Sequence, residues 1–262
     1  GPGLNPGVAC LTWVSWVLWF LGYPDQALKR GQEALALAQE LDDAHSLALA
    51  FSNAGAYPHA FRGEIQACKE GAEVWIRFST EQGFAFYQAC GTFFRGWLQA
   101  QEGQIEEGIA QMRQGIADQQ ATGSTARTPH SLALLAEVCG KGGQIEEGLT
   151  VLAEALEAAQ STGERYYEAE IHRIKGELLL MQGEADAEAE ASYRQAVHVA
   201  QQQQAKSLEL RAVTSLSRLL QKQGKKEEAR QMLQEVYDWF TEGFDTVDLK
   251  EAKALLEQLS SS

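Results

Sequence analysis

A period of forty residues runs the length of this 262-residue chain and constrains its fold more than any other feature. Gly22, Arg62, Gly103, Gly143, Gly183 and Gly224 are spaced by 40, 41, 40, 40 and 41 residues. Seven positions before each stands a small residue: Ser15, Gly55, Gly96, Ala136, Gly176 and Ser217. Five positions after come Ala27, Ala67, Gly108, Gly148 and Ala229, with Ala189 one position later in the fifth unit. A third column reads Ala34, Val74, Gly115, Ala155, Ala196 and Val236, and a second turn column reads Asp43, Gly83, Gly123, Gly163, Gln203 and Gly243. Small residues let antiparallel helices approach closely, and turn glycines accept the left-handed φ of helix C-termini. Between turns the apolar residues recur at helical spacing, as in Ile145, Leu149, Leu152 and Leu156.

Each unit therefore reads as a helix hairpin with helices of about 15–18 residues, ~25 Å long. The expected pairs are 7–21 with 24–41, 44–60 with 64–82, 84–101 with 104–121, 126–141 with 144–161, 164–181 with 185–202, and 205–222 with 225–241. One hairpin cannot bury both its faces, so the units must stack. A last helix, about 246–259, has no partner; its Leu249, Ala252, Leu255, Leu256 and Leu259 read as a cap on the sixth hairpin. The fold class is all-α: a right-handed α-solenoid of six hairpins plus a C-terminal capping helix, with no strand required. Unit two departs from the pattern. Arg62 takes the place of the turn glycine, and Pro58 is expected to end or kink its first helix, with Tyr57-Pro58-His59 as an irregular elbow. That elbow is either drift or a notch in the binding surface.

Charge and composition exclude several functions. The 36 acidic and 22 basic side chains give a net charge of −14, the wrong sign for nucleic acid or an anionic membrane surface. The uncharged run 8–21 is shorter than the ~20 residues of a membrane span. Cys10, Cys68, Cys90 and Cys139 lie in apolar helical patterns without a C-x-x-C pair, and read as reduced core residues of a cytoplasmic protein. His45, His59, His130, His172 and His198 form no zinc motif, so no metal or cofactor is expected. Gly140-Lys141-Gly142-Gly143 lacks the Ser or Thr of a P-loop and falls at a turn. Glu106-Glu107, Glu146-Glu147 and Glu227-Glu228 recur once per repeat at helix starts, where they oppose the positive helix end. No nucleophile or acid–base pair stands out, and the chain is read as a non-enzyme.

The small-residue spacing resembles the tetratricopeptide repeat (TPR), stretched from 34 to about 40 residues. The strings GQIEEGIAQMRQGIA (103–117), GQIEEGLTVLAEALEAAQSTGE (143–164), YYEAEIHRIKGELLLMQG (166–183) and YDWFTEGFDTVDLKEAKALL (237–256) resemble a narrower family. It is the C-terminal helical-repeat region of bacterial multidomain proteins that carry a nucleotide-cyclase domain and an AAA-like signal-transduction NTPase upstream. The resemblance implies a regulatory or partner-recognition arm with no chemistry of its own. The chain opens Gly1-Pro2 without Met, which reads as a protease scar over residues 1–3 on a piece of a longer protein, with 4–262 as one repeat domain.

Such solenoids bind through a concave groove lined by the first helix of each hairpin. Carrying the TPR groove register across names Trp16, Ser52, His59, Phe93, Trp97, His130, Glu137, Glu170, Arg173, Glu177, Arg211 and Arg218. The expected occupant is a polar or charged protein or peptide segment. The alternative is a small-ligand receptor, as in the helical-repeat sensor domain of the maltose-regulon activator, whose architecture is similar. Trp13, Trp16 and Trp19 share a drifting face. They either pack on 24–41 or form a surface for an upstream domain of the same polypeptide or for a homodimer.

Overall fold

The computed structural model describes residues 3–183 and 185–261, and every regular element in them is helical. The scar expected at Gly1 and Pro2 lies outside the described residues. Hairpin one is α1 (Pro6–Leu21) and α2 (Pro24–Leu41). In hairpin two, α3 (Ala44–Phe51), a π-helical turn (Ser52–Ala56) and α4 (Tyr57–Arg62) run as one helix packed on α5 (Ile65–Glu81). Hairpins three and four are α6 (Ala85–Gln101) with α7 (Ile105–Ala121), and α8 (Thr128–Lys141) with α9 (Ile145–Thr162). Hairpins five and six are α10 (Glu168–Gln182) with α11 (Asp186–Gln202), and α12 (Lys206–Lys222) with α13 (Lys226–Trp239). The cap is α14 (Val247–Ser260), which packs on α12 and α13.

The small columns sit where the helices of a hairpin cross. Ser15 Oγ donates to Ala27 O at 2.6 Å, and Ser217 Oγ makes the same bond to Ala229 O at 3.1 Å. In hairpin three a Cβ on Gly96 would stand 2.7 Å from both Gly108 O and Met112 N. The acidic pairs occupy the first turns of α7, α9 and α13, as their spacing implies.

Left-handed φ falls one residue from the expected column at three turns. Asp42 and Gln204 carry it instead of Asp43 and Gln203, and Gly63 carries it instead of Arg62. The cause at the first is capping: Asp43 is extended, and its carboxylate accepts the Ser46 N–H at 2.9 Å as the N-cap of α3. Arg127 adds a left-handed position outside both columns, which starts α8 later than expected. Nor does Pro58 end its helix. The irregularity lies one turn earlier, at Ser52–Ala56, the stretch whose carbonyls face the proline ring. Widening that turn to π geometry relieves the clash and the missing N–H, so the helix runs on to Arg62.

The superhelix closes on itself, because α12 packs against α1 and the segment 240–248 returns to hairpins one and two. Ser207 Oγ donates to Trp19 O at 2.6 Å. Glu242 accepts the N–H groups of Asp25 and Gln26 at 2.9 and 3.0 Å, capping α2 from the far end of the chain. Arg62 joins both ends: it donates to Asp25 (2.7 Å), Glu64 (2.8 Å) and both oxygens of Asp245 (2.7 and 2.8 Å). Burial opposes the Arg62 charge, but its hydrogen bonds to Glu64 and Asp25 and the charge of Asp245 outweigh it and hold its pKa above the ordinary value. The residue that breaks the glycine column is thus a latch. Turn glycines at this seam also lack room for a side chain: a Cβ on Gly22 would lie 2.6 Å from the Trp239 ring, whereas one on Gly83, Gly103 or Gly143 would meet open space.

Candidate binding cavity

Closure turns the concave groove into a cavity of about 420 Å³ at the centre of the superhelix. It has five walls. Helices α6, α8, α10 and α12 supply the inner faces expected from the repeat. The fifth wall is made by the seam itself: Ala60, Phe61, Gly63 and Ile65 from one side, and Val247, Asp248 and Glu251 of α14 from the other.

One part of the wall is aromatic, formed by Tyr57, Phe61, Phe94, Trp97 and Tyr167. His130 joins them, 1% exposed, with its ring 4.5 Å from that of Tyr167. Burial, aided by the positive charges of Arg127 and Arg211, drives the His130 pKa down to about 3, so the ring is neutral at pH 7. The rest of the wall is ionic and internally paired. Glu170, 3% exposed, accepts from Arg173 at 2.9 Å and lies 3.5 Å from Arg211. Burial alone would raise its pKa, but Arg173 and Arg211 hold it below the ordinary carboxylate value. Arg211 also donates to Asp248 (2.8 Å) and to Phe61 O (3.2 Å), and lies 4.9 Å from the Trp19 ring centre. It ties the cavity to the seam. Farther out, Arg218 pairs with Glu251 at 2.7 Å and Lys141 with Glu137 at 3.8 Å.

Some buried polar atoms of this wall have no hydrogen-bond partner among the described residues. They are Trp97 Nε1, both ring nitrogens of His130, Glu170 Oε2 and Arg173 Nε. A buried polar atom left unpaired costs about 1–3 kcal/mol.

No protein-family model matches the chain, and no curated protein matches it. Among solved structures, the TPR domain of P58(IPK) is similar to it at 12% identity, over 97% of this chain and 80% of that one, with a TM-score of 0.27. At so low a score the likeness carries no argument, and the helical-repeat fold rests on the hairpins themselves.

The structure brings together Trp97, His130, Glu137, Glu170, Arg173, Arg211 and Arg218 around the cavity. Glu177 stands just behind, bonded to Arg173 (3.3 Å) and Ser215 (2.7 Å). Four of the residues named from the groove register lie elsewhere. Phe93 is buried in the α6–α7 crossing, its backbone against Gly115. Ser52 is buried in the π turn and donates to Leu49 O at 2.7 Å. His59 follows that turn, whose extra residue rotates the helix face, and its Nδ1 lies 2.5 Å from Glu64. Trp16 sits behind the wall, bonded to Asn53 and with its ring centre 4.8 Å from the Arg127 guanidinium.

Arg127 was not singled out by any motif. It is buried, left-handed at φ 64°, and held over the faces of Trp16 and Tyr57 at 4.8 and 4.9 Å. Its backbone N–H donates to Glu164 at 2.8 Å. The contribution of α14 to the cavity was missed as well; Asp248 and Glu251 lie outside the repeat register that named the other groove residues. The Trp series divides. Trp16 and Trp19 are core, while Trp13 is 52% exposed in a stripe with Cys10, Val14 and Val17 on α1. Cys10 therefore departs from the core position expected for it, since no helix among the described residues covers this face of the first hairpin; the other three cysteines are buried and free. No helix is long and apolar enough to cross a membrane among the described residues.

Proposed function

We propose that the chain is a non-catalytic binding module that takes its partner into the central cavity. The observation that carries this reading is the cavity itself, where aromatic side chains and paired ions line about 420 Å³. Pockets that take small molecules and cofactors span ~300–1,000 Å³. An α-helix of 10–12 Å diameter would fill this volume with about one turn. A short polar or charged segment of a protein or peptide fits better, and the same enclosure supports the second reading, a small-ligand receptor. The repeat strings that resemble the C-terminal region of cyclase and NTPase signalling proteins make a cytoplasmic regulatory arm of such a protein the proposed context. The exposed stripe of Cys10, Trp13, Val14 and Val17 supports a contact with an upstream domain or a second copy.

Ala60 lines the cavity, and Ala60→Trp would occupy it without altering any charge. An extract of the source cells, divided into a protein fraction and a low-mass fraction, is added to the chain and its melting temperature followed. A rise with the protein fraction, absent in Ala60→Trp, supports the partner-segment reading. A rise confined to the low-mass fraction supports the receptor. A rise of equal size in Ala60→Trp, or none with either fraction, refutes the cavity as the binding site.

A further inference from the structure

We infer that the cavity recognises an amphipathic ligand of peptide type: one large apolar side chain flanked by a carboxylate or carbonyl acceptor and an ammonium or amide donor. The inference rests on the cavity being the binding site and names the chemistry that enters it.

Charge balance is the first argument. Four carboxylates (Glu137, Glu170, Asp248, Glu251) and four cations (Lys141, Arg173, Arg211, Arg218) line the cavity, and every cation is paired within the wall. A polyanion drawn to Arg173 meets Glu170 at 2.9 Å and Glu177 at 3.3 Å from the same guanidinium. A bare cation drawn to Glu170 meets Arg173 and Arg211. A wholly apolar ligand would desolvate these ions and return nothing. A group carrying both an acceptor and a donor can instead exchange partners with a wall pair, and each charge keeps a counterpart.

The same wall holds buried polar atoms without a partner, which lie behind its accessible surface and meet a ligand only as their side chains turn toward it. Arg173 Nε and Trp97 Nε1 are donors and Glu170 Oε2 is an acceptor. Neutral His130 offers one of each, with neither used. A peptide unit is a small group that presents a donor and an acceptor side by side. Beside these atoms stand Tyr57, Phe61, Phe94, Trp97 and Tyr167, whose faces suit one large apolar side chain.

The test uses the complete set of dipeptides of the twenty amino acids, each free and each N-acetylated and C-amidated, with AMP and inorganic diphosphate as polyanion probes. Binding to the whole chain is measured by thermal shift and then by calorimetry. Dipeptides bearing a large apolar side chain are expected to bind. Ala60→Trp should weaken them at least about tenfold and the conservative Trp97→Phe severalfold, while Arg194→Ala, in an ion pair on the outer helices, leaves them unchanged. Binding of only the free forms identifies a free zwitterion as the source; binding of the blocked forms identifies a segment within a longer chain. Both support the shared chemistry. Tighter binding of AMP or diphosphate, lost in Ala60→Trp, overturns the ligand class and leaves the cavity reading intact. Dipeptide binding indifferent to both cavity variants overturns the cavity reading. No dipeptide binding at millimolar concentration overturns the class.

Discussion

Arg62→Ala tests whether the superhelix is held shut by its latch. The side chain is 4% exposed, yet its partners Asp25, Glu64 and Asp245 are 51%, 34% and 66% exposed. Removing the guanidinium therefore returns three carboxylates to water rather than stranding them. The ~3–5 kcal/mol cost of orphaning a buried charge does not apply. Each link is closer to an ion pair at a surface, at most about 1 kcal/mol, so three links total roughly 1.5–3 kcal/mol. Spread over a chain of this size, that is a fall of about 3–12 °C in melting temperature. The larger effect is on shape. A solenoid is stabilised unit by unit, and Asp245 lies 183 residues from Arg62 in sequence, so the hairpins can survive while the seam parts. Small-angle scattering should show a larger radius of gyration at unchanged far-UV circular dichroism. Arg62→Lys keeps the charge but loses the forked geometry, and should fall between the two. An unchanged radius and melting temperature would refute the latch. A loss of helix in step with the expansion would instead make Arg62 a core residue of hairpin two.

Three further outcomes follow from particular contacts. Gly96→Leu should cost about 3 kcal/mol, because its Cβ meets the backbone of Gly108 and Met112, which cannot rotate away; Lys141→Leu, at an exposed position, should cost little in the same urea titration. Between about 3 and 6.5 the unfolded chain protonates His130 and the folded chain does not, so stability falls as pH drops through that window, by up to about 1.4 kcal/mol per unit from this group. His130→Gln should flatten the slope of urea midpoints between pH 7 and pH 5, and an equal slope in both proteins shows that the ring titrates freely. Trp13→Glu should leave the melting temperature unchanged, since Trp13 is half exposed, and should shift the size-exclusion volume if the α1 stripe joins two copies.

The hairpins were legible because their determinants are local. Gly96 against Gly108, Ser15 on Ala27 and the cap leucines of α14 follow from residues at fixed short spacings, and the structure realises each. Left-handed turns were legible to within one residue, since spacing alone does not weigh the capping chemistry that moved Asp43 into an extended conformation. Groove register puts Trp97, His130, Glu137, Glu170, Arg173, Arg211 and Arg218 on the cavity wall, with Glu177 behind it. It missed the cavity at His59, because a π turn changes the phase of every side chain after it and forty-residue columns do not report an added residue within one helix; Ser52 opens that turn and bonds back to Leu49 O, and Phe93 and Trp16 are buried between helices instead.

Closure was not legible, for a different reason. Repeat columns specify how one hairpin meets the next, and the superhelical turn is the sum of five such small rotations. Whether the sum brings α12 onto α1 depends on angles that the period does not encode. The residues that exploit the closure nevertheless stand out as departures from the period. Arg62 interrupts the glycine column, and the acids Glu242 and Asp245 fall in the longest connection among the described residues, between α13 and α14. Each is costly to explain inside its own hairpin, and each finds its partner across the seam: Arg62 on Asp245, Glu242 on the start of α2. In a repeat chain, a charged residue in a turn column is therefore better sought as one half of a long-range pair than dismissed as decay of the repeat. Here that pair also builds the cavity wall, because the segments it joins carry Phe61, Gly63, Val247 and Asp248. Any ligand that touches both sides of that wall must stabilise the closed form by the margin with which it prefers closed over open.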